Sequence, residues 1–393
     1  MVLSALRALA FPEASMELPL FESARPDKPA ALPALYTSLP EEELLRRIAA
    51  RKVALGDRLL ILGHHYQADE VLRFADFRGD SYKLACDAAK VDRASWIIFL
   101  GVHFMAESAD ILTSPDQAVL LPDLRAGCTM ADMADRDDVL LAWDEISNCS
   151  DEVVVPITYI NSAASLKDFV GRHGGAVCTS SNARKVVSWA FERGRKLLFF
   201  PDQHLGRNVC YELGIPLEDM LVWDPAERLG GHSEAEVAKA KVLLWKGHCS
   251  VHQGFRVEHI DYWRRERPDI TVMVHPECSW EVVQRADRSG STAAILDAVA
   301  SAAPGSAWAI GTEIHLVKRL QTQYPDRFVT SLSPFQCLCA TMYRIRPSYL
   351  LWMLDGLAEG VVRHQVAVPP SVAEGARVAL QRMIDITSGG SVA

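Results

Sequence analysis

The sequence predicts an α/β protein: three similar three-layer αβα domains, with short parallel sheets arranged around a pseudo-threefold axis. Short apolar runs that read as buried strands alternate with helical stretches, the order of parallel βαβ units. The alternation falls into three rounds along the chain. Each round closes on a turn that holds cysteine: Cys128, then Cys249, then Cys337 with Cys339. A threefold arrangement would make those turns converge. The expected boundaries are an N-terminal arm and first helix over 1–50, α/β domains over 51–146, 147–254 and 255–346, and C-terminal helices over 347–393 that pack back on the core.

Residues 12–39 are rich in Pro and Ala and read as an irregular arm. Ser38 with Glu41 reads as a capping box for a helix over 42–52. The run RLLILG over 58–63 is short, apolar and ends in Gly, as a buried strand does. A helix over 81–89, a strand over 95–100 (SWIIFL), a helix over 105–112 and a strand over 118–121 complete the first round. The second round has strands over 153–159, 175–178 and 196–200, and helices over 163–172 and 182–193. Ser233 and Glu236 form a capping box for a helix reaching 241. The third round begins with a helix over 255–265. Strands follow over 271–274 and 307–310, with helices over 280–286, 292–300 and 313–324. The tail reads as helices over 349–359 and 371–387, the last capped by Ser371 and Glu374.

A chain of 393 residues with 49% hydrophobic and 23% charged residues has globular composition and can bury a large core. Its net charge of −9 argues against a nucleic-acid partner. No run of eighteen apolar residues occurs and residues 1–11 do not read as a signal peptide, so no membrane span and a cytoplasmic location are expected. The nine cysteines are an odd number without a secretory signal, which argues against a disulfide framework. Most read as small buried apolar residues, and a few as metal ligands.

Polar groups recur at the ends of the expected strands. His64 and Tyr66 follow the first strand, Tyr159 and Asn161 open the second round, and His275 and Glu277 follow the first strand of the third. Ser81, Ser181, Ser291 and Thr292 stand at helix starts. Any one such hydroxyl is commonly only a cap. Their recurrence at equivalent places in three rounds favours a crevice at the carboxyl ends of the strands, rich in anion donors. Such a pocket suits a small, doubly charged acid or a phosphate. Three thiolates on a four-iron cluster would leave one iron without a protein ligand, free to act as a Lewis acid.

These segments resemble the quinolinate synthase family. The matching motifs are GHHYQ, GDS, GVHFMAESADIL, LLPDLRAGCTMADM, YINS, CTSSNA, FPDQHLGRN, HPEC, GST, GTE and CLCATM, which span roughly 59–346. The resemblance implies three homologous α/β domains in a triangle around a central site. It implies a [4Fe–4S] cluster on Cys128, Cys249 and Cys339. The family's third ligand tends to precede a Met by three positions, which selects Cys339, ahead of Met342, over Cys337. The implied reaction condenses iminoaspartate with dihydroxyacetone phosphate to quinolinate, with loss of phosphate and two waters, and brings transient contact with L-aspartate oxidase. Carried over by motif, His64, Ser81, Tyr159, Asn161, Ser181, Ser291 and Thr292 bind substrate, and Tyr66, His275 and Glu277 are catalytic. Glu277 is expected to remove a proton, with a pKa raised by desolvation. His65 stands where the family more usually has Asn or Tyr and is read as filling space. Other readings of the cysteines are a different [4Fe–4S] hydro-lyase, an iron–sulfur electron carrier or a zinc-stabilised scaffold. The last two need a fourth ligand, for which Cys337 is the one hint.

Overall fold

The computed structural model describes residues 31–335 and 338–389. Cys337 and most of the expected arm lie outside the described residues.

The apolar runs form strands. The first sheet holds β1 (Leu59–His64), β2 (Phe77–Gly79), β3 (Trp96–Leu100) and β4 (Ala118–Leu120). The second holds β5 (Val154–Tyr159), β6 (Ala176–Cys178), β7 (Lys196–Phe200), β8 (Met220–Trp223) and β9 (Val242–Trp245). The third holds β10 (Thr271–Val274), β11 (Arg288–Ser289), β12 (Ala307–Gly311) and β13 (Phe328–Ser331). A short strand, β14 (Gln365–Val366), returns to pair antiparallel with β4. Every other pairing is parallel. Parallel sheets are covered on both faces, so β1, β7, β9 and β12 are buried along their whole length.

The three sheets share one strand order. They run β2-β1-β3-β4, β6-β5-β7-β9 and β11-β10-β12-β13, with β8 added outside β9 and β14 outside β4. The connections leave in opposite directions on either side of β1, β5 and β10. A crevice therefore opens between the first and third strand of each sheet, at their carboxyl ends. In the third sheet alternate residues enter different cores. Val272, Val274 and Ala309 pack on one face, and Met273, Trp308 and Ile310 on the other.

The helix Glu41–Leu55 is capped by Pro40, and Ser38 instead donates its hydroxyl to the Leu35 carbonyl. Three glutamates in its first turn suit the positive end of the helix dipole. The last helix, Pro370–Ser388, starts with Pro370 at its first position, which places Ser371 inside it and removes the expected side-chain cap. The Ser233–Glu236 capping box is present. Its helix, Glu234–Lys239, ends earlier than expected because β9 begins at Val242 and pairs beside β7. Helices Arg136–Cys149 and Gln203–Glu212 were not read from the sequence.

The tail helices cover the first two rounds. Pro347–Ala358 packs on Glu41–Leu55, and Pro370–Ser388 packs on Ala164–Arg172. At the second crossing a Cβ on Gly171 would stand 1.9 Å from the Gly375 carbonyl oxygen, so the two backbones touch. Among the described residues no helix is long and apolar enough to cross a membrane.

Candidate active site

The ends of the strands from all three sheets open on one cavity. The first sheet contributes His64 at the end of β1, Tyr66 after it, and Asp80 and Ser81 after β2. The second contributes Tyr159 at the end of β5, Asn161 after it, and Thr179 and Ser180 after β6. The third contributes His275, Glu277, Thr292 and Glu313. Cys128, Cys249 and Cys339 line the same cavity.

The three cysteines sit in matching turns. Each lies beyond the strand that follows β3, β7 or β12 in sheet order, and three residues ahead of a short 3₁₀ turn. Those turns are Ala131–Met133, His252–Gly254 and Met342–Arg344. In all three the fourth residue on donates its N–H to the cysteine carbonyl: Asp132 at 3.1 Å, Gln253 at 2.9 Å and Tyr343 at 3.1 Å. In all three the third residue on, Ala131, His252 or Met342, aims its N–H at the sulfur. The sulfurs are close enough to act on one another electrostatically, Cys128 on Cys249 and Cys339 on both. Burial pushes the Cys128 thiol up to about 12 and the Cys249 and Cys339 thiols upward as well. Backbone N–H groups aimed at sulfur favour thiolate, and a bound cation would supply the charge that ionises all three. The donor set therefore fits a metal centre. Cys178, Cys210 and Cys278 are packed into the apolar cores, which accounts for them as small hydrophobes.

Two histidines are held in one way. The Tyr66 N–H donates to His64 Nδ1 at 3.1 Å, and the Glu277 N–H to His275 Nδ1 at 3.4 Å. Burial lowers both imidazoles to about 3, so both are neutral and carry their proton on Nε2. Tyr66 stands edge-on to His64, with ring centroids 4.9 Å apart. Its hydroxyl lies 2.8 Å from Thr312 Oγ1 and accepts from Thr292 Oγ1 at 3.2 Å.

Glu277 departs from expectation. Burial pushes its carboxyl up, but His252 and His275, with hydrogen bonds from His252 and Tyr159, outweigh that and bring it down to about 2. His252 Nδ1 lies 2.7 Å from Glu277 Oε2, and the imidazole stacks on His275 at 4.6 Å. The Glu277 turn is clamped from the second sheet's helix Gln203–Glu212. There Asn208 Nδ2 donates to the carbonyls of Pro276 at 2.8 Å and Cys278 at 2.9 Å. Cys249 Sγ, a His252 nitrogen and a Glu277 oxygen all lie within 4.8 Å of one another.

Two expected substrate contacts are engaged by the protein and lie outside the lining. Ser181 Oγ donates to Asp80 Oδ2 at 2.5 Å, bridging the second sheet to the first. Ser291 caps the helix Thr292–Ala300 and accepts from the Ala294 N–H at 3.3 Å. Their neighbours Thr179, Ser180 and Thr292 reach the cavity instead. His65 is half-buried, and its carbonyl accepts from Arg319 at 2.8 Å. His252, which lines the cavity, and Thr312, which touches His252 and Tyr66, are not among the residues expected from the sequence. The signal for His252 was its place, three residues after Cys249, matching Met342 after Cys339.

The fold and site define an α/β enzyme whose buried crevice gathers three thiols, neutral imidazoles and the ionised Glu277 carboxylate. Comparison with known proteins makes this specific. The family model described as NadA, Quinolinate synthetase A protein, matches residues 46–385. A quinolinate synthase of Anoxybacillus flavithermus is 54% identical over 90% of this chain and 96% of its own length. The quinolinate synthase of Herpetosiphon aurantiacus is 55% identical over 89% and 94%, and that of Corynebacterium glutamicum 52% over 92% of each. The chain belongs to the quinolinate synthase family.

Proposed function

We propose that this protein condenses iminoaspartate with dihydroxyacetone phosphate to quinolinate, working in the cytoplasm and releasing phosphate and two waters. The proposal includes a [4Fe–4S] cluster on Cys128, Cys249 and Cys339, and three αβα domains around a pseudo-threefold axis. The observation that carries it is the set of three equivalent cysteine turns, each after a different sheet, opening on the cavity that also holds the anion-binding groups. When bound, the cluster supplies a Lewis acid that eases loss of water.

The protein's own groups divide the remaining work. The Nε2–H groups of His64 and His275, the hydroxyls of Ser81 and Thr292, and the amides at their helix starts receive carboxylate and phosphate oxygens. Tyr159 and Asn161 orient the acid, while Ser181 and Ser291 hold the walls behind it. Glu277, ionised, accepts a proton, with Tyr159 hydrogen-bonded to it. Tyr66 moves or holds a proton at its phenol oxygen. Burial excludes water from a hydrolysable imine. Transient contact with L-aspartate oxidase would shorten the imine's exposure to solvent.

The test is iron content and quinolinate formation in anaerobically reconstituted protein. Cys128→Ala, Cys249→Ala and Cys339→Ala should each lose iron and activity, while Cys210→Ala should keep both. Full iron and full activity in any of the first three ends the three-ligand assignment. A second reading has the Cys249–His252–Glu277 group as its support: a zinc site. Zinc without iron in anaerobically purified protein would favour it.

A further inference from the structure

Thr312 belongs to the GTE motif at the carboxyl end of β12. It is fully buried and does not line the cavity, yet its hydroxyl touches two groups that do. Thr312 Oγ1 lies 2.8 Å from the Tyr66 hydroxyl and 3.2 Å from His252 Nε2. The other ring nitrogen of His252, Nδ1, stands 2.7 Å from Glu277 Oε2. A continuous string therefore runs from Glu277 through His252 and Thr312 to Tyr66, and ends at Thr292.

A phenol oxygen has one proton to give and two lone pairs to fill. Thr292 and Thr312 occupy two of these three positions on Tyr66. The third is left for a ligand in the cavity that Tyr66 lines. Whichever way the hydroxyl protons run along the string, the two threonines fix where that free position points. Thr292 itself faces the cavity and is exchangeable with ligand, whereas Thr312 is sealed behind the ring. We infer that Thr312 is the positioning residue that aims the Tyr66 hydroxyl at substrate. This rests on the proposed role of Tyr66 in quinolinate formation.

Thr312→Val keeps the branched shape and removes the hydroxyl. In iron-reconstituted full-length protein it should lower kcat by about 10- to 100-fold, the scale of a misaligned reacting group, with KM nearly unchanged. Thr312→Ser should restore most of the rate, and Thr312→Ala, which strains nothing, should fail as Val does. In a Tyr66→Phe background Thr312→Val should cause no further loss, because the two act as a unit. Iron content and melting temperature, measured on the same samples, normalise each rate to folded, loaded protein. A Thr312→Val rate within twofold of wild type, or an equal added loss in the Tyr66→Phe background, overturns the inference. Replacement of Tyr66 by 3-fluorotyrosine gives a readout independent of turnover. Its ¹⁹F line should move on Thr312→Val and return on Thr312→Ser, and a line that stays put also overturns the inference. Wild-type protein that makes no quinolinate overturns the proposed reaction, and the ¹⁹F line still decides the role of Thr312.

Discussion

Glu277 and Lys167 are both buried and both have their pKa lowered, with opposite effects on charge. For Glu277 burial alone would favour the neutral acid, but His252, His275 and Tyr159 keep it ionised. Glu277→Gln should reduce kcat by about 10²–10⁴-fold, the range for a general base, with iron content intact. Wild-type turnover in that variant would remove it from the proton-transfer role. Lys167 is fully buried beside Phe104, and its amine donates to the Ser162 carbonyl. Burial lowers it to about 8. The unfolded chain keeps that proton up to the ordinary lysine range, so between about pH 8 and 10.5 unfolding takes up a proton and stability rises with pH. The whole effect is about 3 kcal/mol. Denaturant unfolding at pH 7.5 and 9.5 should show about 2 kcal/mol of this gain in the wild type and none in Lys167→Met. Parallel behaviour of the two would show that the amine is not desolvated. Neither shift was legible in the sequence, because each depends on neighbours far away along the chain.

Elements were legible where their own residues decide them. β1, β3, β5, β7, β10 and β12 are apolar runs with little alternative, and the Ser233–Glu236 box marks its helix locally. The caps assigned to Ser38 and Ser371 failed because a proline nearby sets the helix start, and its fixed φ outweighs one side-chain hydrogen bond. The two-residue strands β11 and β14 carry too few residues for a pattern and exist because a neighbouring strand offers pairing. Helix crossings are also tertiary. Gly171→Ala should cost about 1–3 kcal/mol, since the added methyl meets the Gly375 carbonyl rather than a yielding side chain. Gly174→Ala, with no atom within 4 Å of the added methyl, is the contrast, although its φ of +74° adds local strain. A loss for Gly171→Ala below 0.5 kcal/mol in denaturant unfolding would show that the helices separate freely.

At the scale of the whole molecule, the three cysteine turns follow three different sheets. A centre bound by all three would link them, so binding free energy becomes folding free energy. Calorimetry should show a higher melting temperature for iron-loaded protein than for protein stripped by chelator. Cys249→Ala should abolish the difference, and equal melting temperatures in the wild type would mean that the centre does not tie the sheets together.

The sequence alone determined the α/β class, the run of its main strands and the residue types at their carboxyl ends, because those follow from local polarity and period. It also marked Cys128 and Cys249 at the ends of two rounds, whereas the choice of Cys339 over Cys337 came from the family resemblance. Only the tertiary structure decided that Ser181 serves Asp80, that His252 keeps Glu277 ionised and that Thr312 stands behind Tyr66. Those facts are distances of a few ångströms between side chains from different strands and turns. No local pattern encodes them, because they are fixed only when the packed sheets bring their ends to one place.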